Sequence, residues 1–149
     1  MIALLAACLD AAAGQQAPAN PAPAQADPFK FSTDAAAMLF TVKADEVESF
    51  ESVWSVIRSR LAASTNPSLR ELGQHLQMFR VAGLPPTSKE ATYVFVADPV
   101  SKESSYGVSP FLLYDSGLFE RPEAEELFKL MQPAIVSISS YPLQAIVIK

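Results

Sequence analysis

The chain has 149 residues, half of them hydrophobic and 18% charged, a composition suited to one globular domain rather than a disordered chain. Lysine and arginine number 11 against 16 aspartates and glutamates, and no basic cluster exceeds Arg58 and Arg60, which disfavours nucleic-acid binding and electrostatic attachment to anionic lipid. One cysteine, Cys8, and one histidine, His75, exclude an intrachain disulfide and are too few for a Cys/His zinc site, so neither metal nor cofactor is expected.

Met1–Leu9 (MIALLAACL) is an apolar run of signal-peptide length. It is too short to span a bilayer, which takes about 20 residues. Within it, Leu5-Ala6-Ala7-Cys8 matches the bacterial lipobox. Small residues let the backbone enter a peptidase site, and the thiol after the cut accepts diacylglycerol. No positive charge precedes the run and only seven residues precede Cys8, which suggests that the natural start lies upstream. Two other readings remain open. Ala11-Ala12-Ala13 has the A-x-A form of a secretory cleavage site, and Cys8 could be merely one small residue of an apolar run. The expectation is an exported protein, periplasmic or membrane-anchored through a lipid on Cys8, otherwise secreted. Residues 1–13 are then the signal, and membrane contact comes only through that lipid.

Residues 14–32 read as an Ala/Pro-rich linker. Gly14–Pro28 holds no large apolar residue, cannot offset the entropy of ordering, and is expected to be disordered and partly polyproline-II. The folded domain is expected over residues 33–149.

Ala37–Lys43 is apolar and rich in strand formers, so it predicts the first strand. Asp45 stands three residues before Glu48 as a capping box, and a helix is expected from Glu46 to Ala63. Its apolar stripe is Val47, Phe50, Val53, Trp54, Ile57 and Leu61, with Trp54 in the core. Asn66-Pro67 predicts the start of a short helix that ends near Gly73. Gln77–Ala82 and Ala91–Ala97 read as strands joined by the turn that begins at Gly83. Ser101–Ser109 reads as a Ser-rich loop, in composition suited to a lid. A short helix is expected over Phe111–Ser116, stopped by Gly117, and a longer one over Pro122–Gln132. Pro133–Tyr141 reads equally as helix tail or loop, and Leu143–Lys149 (LQAIVIK) as the last strand.

The order βαββαβ predicts an α+β, ferredoxin-like domain: an antiparallel sheet with helices on one face. The other face then needs cover. A homodimer through the open sheet face is one solution. Short helices from Pro67 and Pro110 folding across it are the other.

Three features carry a resemblance: the run Tyr93–Val100 (YVFVADPV), the Asp-led helix with Phe50 and its Ser64–Pro67 turn, and the aromatic–acidic helix near Glu123. Together they resemble small exported bacterial proteins of unknown function, similar in shape to the dimeric α/β barrel superfamily. The resemblance covers most of Met38–Lys149. It implies a cavity between sheet and helices, and its superfamily includes cofactor-free monooxygenases and haem-handling enzymes. It implies no particular activity, because fold does not determine function. A haem would need an axial ligand, and only His75 could supply a histidine.

The candidate pocket residues are Tyr93 and Arg80 as strand residues able to face a cavity, His75 as the sole histidine, and Asp98 at a strand end before Pro99. Each has a plainer role: strand packing for Tyr93 and Arg80, a cap or surface position for His75, and strand termination for Asp98. Glu123, Glu125 and Glu126 suit a helix dipole better than a calcium loop. No G-x-S-x-G elbow or P-loop occurs. The reading that follows is a non-catalytic exported domain that binds a small apolar ligand or a protein partner. The alternatives are a cofactor-independent monooxygenase or isomerase, and a structural dimer module. If Cys8 is the lipid site, Cys8→Ser in full-length protein removes palmitate labelling; unchanged labelling with intact export rules that role out.

Overall fold

The computed structural model describes residues 27–85 and 87–146. The signal, Cys8 and most of the linker lie outside the described residues.

Strand β1, Ala35–Lys43, alternates half-buried and buried residues along its length, with Ala36, Met38, Phe40 and Val42 turned into the core. That period of two is a sheet packed on one side. Strand β3, Glu90–Ala97, does the same with Ala91, Tyr93, Phe95 and Ala97 and pairs antiparallel to β1, Phe40 opposite Tyr93. Strand β2, Leu76–Arg80, flanks β3, and β4, Ile135–Leu143, flanks β1, giving the order β2-β3-β1-β4 with every neighbour antiparallel.

Helix α1, Val47–Ala63, presents its expected stripe, burying Phe50, Val53, Trp54, Ile57 and Leu61. Its aromatics meet those of the sheet. Trp54 lies 4.4 Å from Phe95 between ring centroids, Phe40 4.6 Å from Phe95, and Phe50 4.8 Å from Tyr93. Such pairs contribute about 0.5–1.5 kcal/mol each beyond area burial. The helix does not start by the capping box. A 3₁₀ turn, Ala44–Glu46, leads into it, and no side chain caps it. The carboxylate of Asp45 is therefore not the N-cap that its spacing suggested.

Helix α2, Pro67–His75, opens as its sequence predicts: the Asn66 side chain accepts from the Ser68 amide at 3.0 Å, with Pro67 in the first turn. It runs past Gly73, because that glycine serves helix packing rather than termination. A β-carbon there would stand 2.8 Å from Cβ of Leu61 on α1. Helix α3, Arg121–Met131, buries Ala124, Leu127 and Met131. Between them, Val108–Asp115 forms a π-helix where a short helix was expected at Phe111–Ser116, and Leu112 and Leu113 are fully buried in it. Its i→i+5 bonds include Leu112 N to Gly107 O at 2.9 Å. Gly117, at φ +72°, follows it as a left-handed stop.

Four further expectations need correction. Strand β2 ends at Arg80 rather than Ala82. The last strand is Ile135–Leu143, not Leu143–Lys149; Gln144–Ile146 lie outside the sheet with Ile146 86% exposed, and 147–149 are beyond the described residues. An edge strand with much of its surface in water tolerates Ser137, Ser139, Ser140 and Pro142, and so hides among polar residues. The folded part also reaches back into the expected linker. Phe31 is buried against Tyr106, with ring centroids 5.9 Å apart, and Phe29 packs on the same core. The Ser-rich loop is no lid: Ser104, Ser105 and Tyr106 are buried.

Leu69 and Leu72 of α2 and Leu112 and Leu113 of the π-helix join the same core as the buried side of β1 and β3. The helices thus gather on one face. On the other, Leu39, Val94 and Val96 are half-buried, and Phe79 on β2 is 52% exposed. Gly73→Ala is expected to destabilise the fold by about 1–2 kcal/mol, the clash with Leu61 outweighing alanine's better helix propensity. A urea midpoint at or above that of the parent would show that α1 and α2 are not closed on each other there.

Candidate functional site

On the helix side of the sheet, α3 does not close fully over β4. The gap is a cleft of about 320 Å³ lined by Phe29, Phe40, Val108, Phe128, Met131, Gln132, Ile135 and Ile138. All but Gln132 are apolar. Phe40, Met131 and Val108 form a buried floor, and Ile138, 38% exposed, stands at the mouth.

The two isoleucines share the cleft because β4 carries an irregularity. Ile138 pairs with Phe40 and Ser137 with Thr41, but Val42 pairs with Ile135, so the register shifts by one residue at Val136. A regular strand would put Val136 on the helix side and turn Ile135 to the open face. The bulge reverses that, as one extra residue must when side chains alternate.

The other walls are set by neighbours. Phe128 meets Tyr114 of the π-helix edge to face, 6.1 Å between centroids. Arg60 of α1 reaches Glu123 of α3 at 2.7 Å, fixing that helix at its amino end. Val108 begins the π-helix, a conformation often found beside functional sites. Phe29 enters from the amino-terminal segment. Among the described residues no charged side chain lines the cleft, so its chemistry is contact with hydrocarbon plus one amide, Gln132, at the rim.

The residues singled out from sequence do not converge. Arg80 and Tyr93 face each other across β2 and β3 on the helix side. The Arg80 guanidinium lies 6.0 Å from the Tyr93 ring, and both residues reach Glu51 of α1. The Tyr93 hydroxyl donates to Glu51, while Arg80 stands 3.5 Å from the same carboxylate. Burial first, then the bond to Glu51, pushes the Tyr93 phenol above its usual range, so it remains a protonated donor. This trio clasps α1 to the hairpin; Glu51 was invisible as a partner because it falls off the helix's apolar stripe.

His75 and Asp98 pair instead at the other end of these strands, where the Asp98 amide donates to the His75 carbonyl at 3.3 Å. Asp98 is five residue steps along the chain from Tyr93, roughly 16 Å of extended chain. The Asp98 side chain borders an open groove with Asp34 and Lys102, which pair with each other at 3.0 Å. Among the described residues, no three His, Cys, Asp or Glu side chains come together as a metal site, and no helix is long and apolar enough to cross a membrane. Of the cleft-lining residues, Phe40, Phe128, Met131 and Gln132 lay in expected elements, whereas Phe29 fell in the expected linker, Val108 in the Ser-rich loop, and Ile135 and Ile138 in the segment read as helix tail or loop.

No family model matches the chain, and searches of curated proteins and of solved structures found no match either. What fold and cleft define is an α+β domain with an antiparallel sheet, an apolar cleft on its helix side and, on the other, an apolar face that no helix of the described residues covers.

Proposed function

We propose that this domain is a non-catalytic binding module that takes the apolar part of a small, uncharged ligand into the cleft beneath α3, and that it works outside the cytoplasm, exported by its amino-terminal signal and lipid-anchored through Cys8. The observation that carries the binding reading is the lining: seven of eight cleft residues are apolar, and none is charged. A volume of about 320 Å³ sits at the lower end of small-molecule sites, suited to a short acyl chain or a single ring system. Gln132 offers an amide to a hydroxyl or carbonyl at the mouth. The element order and the strand order β2-β3-β1-β4 favour the ferredoxin-like description of the scaffold.

The test is direct. Nile red, an uncharged apolar dye, should bind the parent chain, and Ile138→Arg should weaken that binding at least tenfold by placing a charge at the mouth. Because Ile138 is partly exposed, the substitution should leave the thermal midpoint nearly unchanged. Equal dye binding by parent and variant defeats the reading.

A second reading concerns the open sheet face, where Leu39, Val94, Val96 and Phe79 lie together and the charged Lys43 and Glu90 sit at the strand ends. It supports pairing of two copies through that face. Four strands about 4.8 Å apart and about 26 Å long offer roughly 500 Å² in plan per copy, below the ~800 Å² per partner of a standard interface. The dimer should therefore be of micromolar strength. Sedimentation equilibrium is expected to show it at tens of micromolar and to show Val94→Asp as monomer; a parent that stays monomeric throughout that range removes this reading.

A further inference from the structure

The wall of the cleft nearest the amino terminus is not part of the sheet or of any helix. It is a short strap, Asp27–Phe31, and its two aromatic residues are held very differently. Phe31 is fully inside, stacked near Tyr106. Phe29 is only half-buried and lies along the cleft. The strap beyond Phe31 rests on few contacts. The Tyr106 amide donates to the Phe29 carbonyl at 3.0 Å, the Ser140 hydroxyl donates to the Pro28 carbonyl at 2.9 Å, and the Asp27 carboxylate and carbonyl accept from Phe29 and Lys30. Gly107 makes room for it: a β-carbon there would come within 3.2 Å of the Phe29 ring.

We propose that Phe29 is a built-in occupant of the cleft, and that ligand entry lifts the Asp27–Lys30 strap off the domain while Phe31 stays as its anchor. The inference rests on the cleft being the ligand site. Two features carry it: the side chain occupying the edge of the cleft belongs to a segment outside the sheet and the helices, and a firmly buried residue two positions on marks where lifting stops. A ligand that shares Phe29's place competes with it, so filling the cleft and seating the strap oppose each other in equal measure. The strap is continuous with the residues before Asp27, so whatever that segment is attached to gains or loses its hold on the domain as the cleft empties or fills.

The sign of two substitutions separates an occupant from a wall. If Phe29 were simply a wall, Phe29→Ala would weaken Nile red binding by removing contact area. As an occupant, its removal should tighten binding roughly tenfold, the population shift that seating about half a phenylalanine side chain supports. Gly107→Ala pushes at the strap without altering Phe29 and should tighten binding in the same direction. Its backbone, at φ −66° and ψ 119°, accepts alanine without strain, so the variant is expected to fold. In the unaltered full chain, saturating dye should speed hydrogen exchange at the Tyr106 amide, whose acceptor is the Phe29 carbonyl, about tenfold or more. If the dye binds, Ile138→Arg blocks it, and yet Phe29→Ala weakens binding and Tyr106 exchange is unmoved, the strap proposal is overturned while the cleft reading stands. If Ile138→Arg has no effect on the dye, the cleft reading fails and the strap proposal falls with it.

Discussion

Everything else in this domain hangs on the aromatic contact between α1 and the two central strands. Trp54 and Phe50 from the helix meet Phe40, Tyr93 and Phe95 from the sheet, with all five rings buried. The cluster is dense enough that the Trp54 indole nitrogen is left without a hydrogen-bond partner, a cost of about 1–3 kcal/mol that the packing outweighs. Once α1 is fixed, the rest follows in order. Leu61 accepts the close approach of Gly73 and so seats α2. Glu51 is held where Tyr93 and Arg80 can reach it. Arg60 projects towards Glu123 and stacks at 5.7 Å from Phe119, which places α3.

That last step explains why a cleft exists at all. Helix α3 takes its position from α1 and from the π-helix, not from a stripe matched to β4. Its buried residues, Ala124, Leu127 and Met131, serve the central core, while Phe128 is turned towards Tyr114. Strand β4 is the edge next to β1, and the helix layer thins before reaching it. A one-residue bulge then delivers Ile135 to the side where Ile138 already stands, so the uncovered strip is apolar rather than polar. The same strand written without the bulge would offer Val136 in its place and send Ile135 through to the open face.

The sequence made the central parts of this arrangement readable and the margins unreadable, for physical reasons that differ by residue. Helix α1 was legible because its stripe is complete and long, and the start of α2 because Asn66-Pro67 is a local device needing no tertiary partner. Strand β3 was legible because β-branched and aromatic residues alternate through a strand flanked on both sides. Strand β4 was not: Ser137 and Ser139 face water, and the more apolar LQAIVIK drew the assignment to Leu143–Lys149, well past the true start at Ile135. Phe29 and Phe31 were lost in a composition dominated by alanine and proline, where two aromatic residues hardly alter the average. Of the expected pocket residues, Tyr93 with Arg80 and His75 with Asp98 stand at opposite ends of β2 and β3, because an extended chain advances about 3.3 Å per residue.

The sheet keeps the two apolar surfaces of the domain apart. Along β1, Phe40 is in the floor of the cleft while Leu39 and Thr41 face the other way, so adjoining residues belong to different surfaces. Pairing of two copies through the bare face would bury Leu39, Val94 and Val96 and leave the mouth at Ile138 and Gln132 untouched. The strap runs on the helix side, tied to Ser140 and Tyr106, and would be free to move in either state. The two surfaces are therefore separated by the alternation of the backbone alone: even-numbered β1 residues turn to the helix side, with Phe40 in the cleft floor, and odd-numbered ones to the open face. Strands β1 and β4 border both surfaces, since Phe40 and Ile138 pair in the cleft while Leu39 and Ser139 pair on the other face.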